Sequence, residues 1–315
     1  MESIGALEIW FTFFIRFIPV WICLAIFYFG LFYWKKRLGL LGRLCDSPIG
    51  LIGLFIVLFW IFGAILADWV AMFDAYEQSG MYRRKPPGTI NTKVDLPYIF
   101  GTDTLGRDLF SRVLLGTRVS LSIGIMAVLI STFIGLFFGS LGGYYGGLID
   151  KIVVYIINVF WSIPTLLLVI AISLSLGKGF WQVYIAIGFS VWVDVARLVR
   201  GKVISEKNKD YISASKILGF NNFRIIVSHI LPNITGPILI IAAANFASSI
   251  LLESGLSFLG IGTQPPLPSW GYMIKENYQY IILGNAYLAL TPAICLVLLV
   301  SSFMFISNYH SEKKL

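Results

Sequence analysis

Seven long apolar stretches constrain this chain more than any other feature of its sequence. Each is close to the roughly 20 residues that a helix needs to cross the hydrocarbon core of a bilayer. Hydrophobic residues make up 57% of the chain and charged residues only 13%, whereas soluble domains have about 25% charged residues. We therefore predict an all-α integral membrane protein, a polytopic helical bundle of about seven transmembrane helices. The stretches lie at approximately 9–33, 48–71, 120–142, 152–176, 181–200, 234–258 and 285–307.

Basic residues cluster at the ends of these stretches. The net charge of +8 raises the question of nucleic acid, but positive charge beside membrane spans is typical of cytoplasmic loops. We predict no nucleic-acid partner, an N-terminus outside and a cytoplasmic C-terminus. Nine basic residues then lie outside, mostly in the loop 72–119, and Arg16 lies within the first stretch. Of the 24 Lys and Arg residues, 14 lie on the cytoplasmic side: Lys35, Lys36, Arg37, Arg43, Lys151, Arg197, Arg200, Lys202, Lys207, Lys209, Lys216, Arg224, Lys313 and Lys314.

The first stretch differs from a secretory signal peptide. It is long, no basic region precedes it, and no small-residue cleavage site follows it. We predict a retained transmembrane helix and a basic cytoplasmic linker over residues 1–47.

Other residues give little sign of chemistry. Cys23, Cys45 and Cys295 are far apart, and the two histidines are isolated, so we predict no metal site. The glycine-rich run 139–147 lacks the Lys-Ser/Thr of a phosphate loop, and we predict close helix packing and a tight turn there. No nucleophile–base–oxyanion set is visible. We predict that the chain is not an enzyme and binds no cofactor.

A polar, basic segment at 207–233 interrupts the apolar stretches. Tyr211, Ala214, Ser215 and Leu218 have the spacing of one helix face, narrow at its small residues. Gly219 follows at the position after the helix end, where a residue that tolerates positive φ is favoured.

A second short helix pattern follows in the same segment. Asn221 or Asn222 is its predicted cap, and Pro232 is predicted to end it. Its apolar stripe consists of Phe223, Ile226, Val227 and Ile230. Two interpretations remain open: a surface loop on the membrane, or a helix pair that docks into a groove of another protein.

The segment 100–118 carries five charged side chains: Asp103, Arg107, Asp108, Arg112 and Arg118. The spacing allows Asp103 or Asp108 to pair with Arg107 or Arg112 and to fix a short helix at the outer surface. The alternative is a solvated loop whose exposed ion pairs contribute little.

Three further residues stand out near the ends of spans. Glu253 has either a structural pairing role or a pathway role, since carboxylates in lipid are costly. Asp194 is predicted to pair with Arg197, three residues later on the same helix. Trp270 follows a proline-rich turn and is predicted to be an interfacial anchor at an outer rim.

Three motifs together resemble a known family. They are FGTDTLGRDLFSRVLLGTRVSLSIG from Phe100, the 207–233 segment with its alanine-bearing turn, Gly219 and Ile230-Leu231-Pro232, and ESGLSFLGIGTQPPLPSWG from Glu253. In this order they resemble the C-type permease of the dipeptide/oligopeptide/nickel ABC importers, over roughly residues 48–308. The resemblance implies a type I ABC-importer permease domain over 48–315, with six common helices and the first span as an addition.

The resemblance also implies partners and a site. The partners are a second homologous permease, two cytoplasmic ABC ATPases that use ATP and Mg, and an extracytoplasmic substrate-binding protein, at the bacterial inner membrane. The family's EAA loop, here within 201–233, couples to the ATPases. Ser213 stands where the family often has Glu, which excludes a salt bridge there; Asp210 is a candidate substitute. The implied coupling residues are Asp210, Tyr211, Ser213, Ala214, Ser215, Leu218, Gly219, Ile230, Leu231 and Pro232, and candidate outer-face or pathway residues are Asp103, Arg107, Asp108, Glu253 and Trp270.

The substrate implied by the resemblance is a short peptide. Nickel chelates, opines and glutathione-like compounds are the alternative within the family. Two other classes stay open on the residues alone: a secondary transporter, which would not need the 207–233 segment, and a structural membrane scaffold, which would transport nothing.

Overall fold

The structure, a computed structural model, describes residues 3–35, 42, 47–177 and 179–312, with side chains described as far as residue 307. Several residues that entered the sequence predictions lie outside that part: Lys36, Arg37, Arg43, Cys45, Lys178, Lys313 and Lys314.

Helices dominate the described chain. The first are α1 (Ala6–Arg16), α2 (Ile18–Tyr33), α3 (Pro48–Ile65) and the short α4 (Ala67–Val70). Next comes one small antiparallel pair, β1 (Ile90–Asn91) with β2 (Leu96–Pro97). The remaining helices are α5 (Leu109–Tyr145), α6 (Gly147–Trp161), α7 (Thr165–Leu176), α8 (Phe180–Lys207), α9 (Asp210–Ile217), α10 (Asn222–Arg224), α11 (Leu231–Leu259), α12 (Trp270–Asn277) and α13 (Tyr287–Glu312). Within the described ranges, this small β pair and two isolated β-bridges depart from the all-α prediction.

The number of spans agrees with the sequence, but two of them are broken. Within the described ranges, five helices are long and apolar enough to cross a membrane, and seven if each of two bent pairs counts as one span. The bent pairs are α1 with α2, at 56°, and α6 with α7, at 89°. A proline lies at each break: Pro19 in the first turn of α2 and Pro164 at the cap of α7. Proline interrupts the hydrogen-bond ladder and restricts the residue before it.

Helices α5 and α8 pack along each other through a row of glycines. A Cβ atom added at Gly139 would lie 2.7 Å from the carbonyl oxygen of Ala196, and one at Gly143 would lie 2.8 Å from that of Arg200. Gly146, at φ +68°, then turns the chain into α6. The predicted use of this run for close packing and a tight turn is confirmed.

We expect Gly139→Leu to destabilise the bundle. The side chain would force apart two backbones in contact, and overpacking typically costs about 1–3 kcal/mol. The measurement is the thermal unfolding midpoint in mild detergent. Gly201→Ala on α8 is the control, because a Cβ there meets no atom within 4 Å. Equal midpoints for the two variants would contradict this packing.

The first span packs on the rim of the bundle. Phe17, Val20 and Leu24 are buried in one cluster with Leu54 on α3 and Leu114 on α5. This cluster crosses the boundary at 47/48, so the N-terminal span is joined to the rest by a continuous apolar contact. The division into 1–47 and 48–315 remains a prediction.

Candidate functional site

The 207–233 segment contains the predicted helix end. Helix α9 stops with Leu218 as its cap, and Gly219 follows at φ +81°. The Gly219 N–H donates to the carbonyl of Lys216 at 3.0 Å, and the Phe220 N–H donates to that of Ser215 at 3.1 Å. These two bonds define a Schellman motif, so the helix end predicted at Gly219 is confirmed.

The four residues that spacing assigned to one face of α9 differ in their exposure. Ser215 is buried and Tyr211 is half-buried, but Ala214 and Leu218 are exposed. The buried face instead includes Ile212, which packs among the isoleucines of the following helix. Spacing alone could not show this, because the tertiary contacts of α9 with Ile225–Ile230 and the neighbouring helices decide which face is buried.

The predicted end at Pro232 is wrong. Asn221 caps the second helix by accepting a hydrogen bond from the Arg224 N–H at 2.8 Å. The helix then runs through a π segment, Ile225–Ile230, directly into α11. Residues Asn222–Leu259 are one continuous span candidate. Pro232 lies in the first turn of α11, directly after the π segment. The wider π turn accommodates the absence of the backbone N–H that proline lacks.

Three large apolar side chains project from the turn between α9 and α10. Ile217, Leu218 and Phe223 are 87%, 72% and 74% exposed; we name them the coupling surface, after the role that the family resemblance predicts for this segment. By contrast, Ile230 is fully buried and Leu231 is partly buried. Sequence reasoning missed Ile217, because it lies off the stripe that spacing assigned. Exposed apolar clusters of this kind mark contact sites.

Asp210 and Ser213 are both exposed on α9. Asp210 lies in the first helical turn, where a carboxylate complements the helix dipole. Both side chains are exposed, and their place in a docking helix stays a prediction.

The charged segment 100–118 is not a solvated loop. Asp103 is 1% and Arg112 1% exposed. The Asp103 carboxylate accepts from Arg107 Nε at 2.6 Å and lies 3.5 Å from Arg112 Nε. Glu276 on α12 completes this charged network, with Oε2 at 3.2 Å from Arg107 Nη2 and 3.5 Å from Arg112 Nη2. The network therefore joins the 100–118 segment to α12, and the part played by Glu276 was not predicted from the sequence.

Asp108 caps α5 and takes no arginine partner within the described chain. Its Oδ2 accepts from the Ser111 backbone N–H at 2.9 Å and from the Ser111 hydroxyl at 2.6 Å. Burial raises the pKa of Asp108 to about 6. The predicted short helix is also wrong, because residue 109 begins the 37-residue α5. Arg118 pairs with Asp68, at 2.8 Å.

Trp270 and Glu253 are both buried in the bundle. The Trp270 indole N–H donates to the carbonyl of Val113 at 3.0 Å, and its ring meets the edge of Trp60. Trp270 is therefore packed inside the bundle and is not a lipid-exposed anchor; its place at an outer rim stays a prediction. Glu253 is 0% exposed and accepts from the Ser257 hydroxyl at 2.7 Å. Its hydroxyl partners favour the structural interpretation over a pathway role.

The predicted Asp194–Arg197 pair does not form. The Arg197 guanidinium lies 3.6 Å from the centroid of the Trp161 ring instead. Arg200, one turn further on, pairs with Asp150 on α6, with Nη2 and Oδ2 2.6 Å apart.

Comparison with known proteins gives the same family as the motifs. The family described as "Binding-protein-dependent transport system inner membrane component" matches residues 131–315. The "N-terminal TM domain of oligopeptide transport permease C" matches residues 39–87.

Individual relatives cover most of the chain. A Bacillus subtilis dipeptide transport system permease is 38% identical, over 83% of this chain and 79% of its own. A Pectobacterium atrosepticum glutathione transport system permease is 36% identical, over 81% and 82%. An inward-facing methionine ABC transporter shares the fold, with a TM-score of 0.53 and 21% identity over 64% of this chain and 95% of its own. The chain belongs to the binding-protein-dependent transport system inner membrane component family, among the C-type permeases of the dipeptide/oligopeptide/nickel ABC importers.

Proposed function

We propose that this ABC-importer permease subunit forms half of a translocation pathway for short peptides and is driven by ATPases that bind its coupling surface. Ile217, Leu218 and Phe223 carry the proposal, because three large apolar side chains stand exposed on a turn that its hydrogen bonds hold rigid. The family works with ATPase and binding-protein partners. A second permease and two ATPases per complex, using ATP and Mg, are the stoichiometry that we propose.

Hydrogen bonds connect the segment behind the coupling surface to neighbouring long helices, and through them it can transmit motion. The Tyr211 hydroxyl donates to Glu206 on α8 at 2.6 Å and accepts from Asn233 on α11 at 2.9 Å. The Tyr144 hydroxyl on α5 donates to Asn222 at 2.8 Å. A shift of α9 together with α10 would therefore act on three long helices, α5, α8 and α11. Closure of the ATPases would then switch the cavity between outward and inward access. The chain itself does no bond chemistry in this mechanism.

The peptide substrate is supported by the names of the relatives. Permeases of dipeptide and oligopeptide systems are 38% and 36% identical to this chain. Glutathione is the second candidate, because a glutathione permease is 36% identical to this chain. Nickel chelates and opines remain without a specific observation in their favour.

We expect ATP-dependent uptake of labelled dipeptide by proteoliposomes that hold the complete importer and its binding protein. Unlabelled dipeptide should compete, and glutathione should compete weakly. Complete competition by glutathione with no dipeptide uptake would favour the second candidate. Uptake that follows an ion gradient without ATP would contradict the importer mechanism.

For the orientation, we propose an external N-terminus and a cytoplasmic C-terminus. The support is the excess of basic residues on one side. A membrane-impermeant reagent should label an N-terminal tag on intact spheroplasts, and a C-terminal tag only after permeabilisation. Protection of the N-terminal tag would contradict a seven-span arrangement.

A further inference from the structure

The break between α6 and α7 divides an apolar stretch that is long enough to cross a membrane only when the two helices are taken together. Asp150, near the start of α6, pairs with Arg200 at the basic end of α8. Val169 of α7 packs instead with Val183 and Ile187, in the other half of α8. The elbow between α6 and α7, residues 161–164, therefore lies between the two ends of α8, and all of it is exposed on this chain.

An exposed elbow at this depth needs water or protein beside it. The chain bends by 89° there, and Pro164 caps α7 without a side-chain hydrogen bond. The first N–H groups of a helix have no partner within that helix. Backbone of this kind is tolerated at membrane depth only when it is buried in protein or lines a water-filled cavity.

Two opposite charges lie beside the elbow on α8. Asp194 and Arg197 are exposed, whereas Val193, Val195 and Ala196 around them are buried. Asp194 is 14 positions after Phe180, about 21 Å along the helix at 1.5 Å per residue. Arg197 is about 4.5 Å further, near the end of α8 that the sequence predicts to be cytoplasmic. Charged side chains in a span usually face a cavity or a partner. Because side chains tilt toward the helix N-terminus, Arg197 reaches up to the Trp161 ring of the elbow, at 3.6 Å.

We propose that Arg197, Asp194 and Trp161 form a charged subsite of the translocation pathway, where Arg197 binds a carboxylate of the passing substrate. The inference rests on the proposed peptide transport. Stacking on Trp161 fixes the guanidinium plane and leaves its N–H edge to donate, a geometry suited to carboxylates. Within the described chain neither charge joins an ion pair, so Arg197 is not neutralised by contact. Asp194 offsets its charge and attracts the ammonium group of the same substrate.

Uptake of paired peptides tests the subsite. Proteoliposomes with the complete importer and one binding protein receive a dipeptide with a free C-terminal carboxylate, or the same dipeptide as its amide. Arg197→Gln should lower uptake of the free acid about tenfold, the loss expected for one charge-assisted hydrogen bond, and change amide uptake little. Lys202→Gln, which removes an exposed charge further along α8, is the matched control. It should keep the wild-type ratio of acid to amide uptake.

An unchanged acid-to-amide ratio in Arg197→Gln would overturn the subsite, provided that the wild type transports the acid. No dipeptide uptake by the wild type would instead overturn the proposed substrate. Cysteine labelling then checks the location: a membrane-impermeant thiol reagent should modify Ser162→Cys in the complete importer, and excess dipeptide should slow it. If the reagent modifies Ser162→Cys in the isolated chain but not in the complete importer, the elbow lies against the second permease. That result would contradict the proposal.

Discussion

Gly219→Pro is expected to abolish ATP-driven uptake while the protein still inserts into the membrane. Proline fixes φ near −65°, but Gly219 has φ +81°. The substitution also removes the N–H that donates to Lys216. The turn must therefore rearrange, and with it the relative placement of Leu218 and Phe223 on the coupling surface. The measurements are substrate uptake and the amount of protein in the membrane fraction.

Gly219→Ala is the matched control for this turn. A Cβ at that position meets no atom within 4 Å, so only the left-handed backbone strain remains, about 1–2 kcal/mol. We expect most of the uptake to survive in Gly219→Ala. Normal uptake by a well-expressed Gly219→Pro protein would contradict the role of the turn.

Asp103→Ala is expected to cause the largest loss of stability among single substitutions at the charged network. It removes the carboxylate that contacts both Arg107 and Arg112 and leaves two buried cations with Glu276 alone. Removing one partner of a buried ion pair costs about 3–5 kcal/mol of stability. The thermal midpoint of the purified protein in detergent should fall clearly, because burial excludes the water that would otherwise replace the lost partner.

Asp68→Ala removes a carboxylate of the same type from an exposed pair. The bond from Arg118 holds the pKa of Asp68 below its ordinary value, yet Asp68 is 70% exposed. Exposed pairs contribute about 0–1 kcal/mol, so this midpoint should hardly move. A loss in Asp68→Ala as large as that in Asp103→Ala would show that burial does not decide the effect.

Local features of the sequence predicted local structure well. Hydrophobic length predicted the five unbroken spans, and all seven if each bent pair counts as one span, because the bilayer sets the number of residues that a helix needs. The end of α9 was predictable because glycine after an apolar helix turn favours a positive φ. The Asn221 cap follows from the same kind of local rule.

Contacts between distant segments were not predictable. Arg107 and Glu276 are 169 positions apart, so no spacing rule could pair them. Trp270 has the surroundings of an interfacial residue in sequence, yet the fold buries it against Trp60 and Val113. The exposure of Ile217 likewise depends on which side of α9 meets α8 and α11.

The most direct test of the account is a cross-link from α9 to an ATPase. Ser213 is exposed on α9, and Ser213→Cys is made in a chain without its 3 native cysteines. The importer is then purified in mild detergent and treated with a short thiol cross-linker. We expect one cross-linked product that contains this chain and a nucleotide-binding chain. A folded, transport-competent complex that contains an ATPase but yields no such product would contradict coupling through α9.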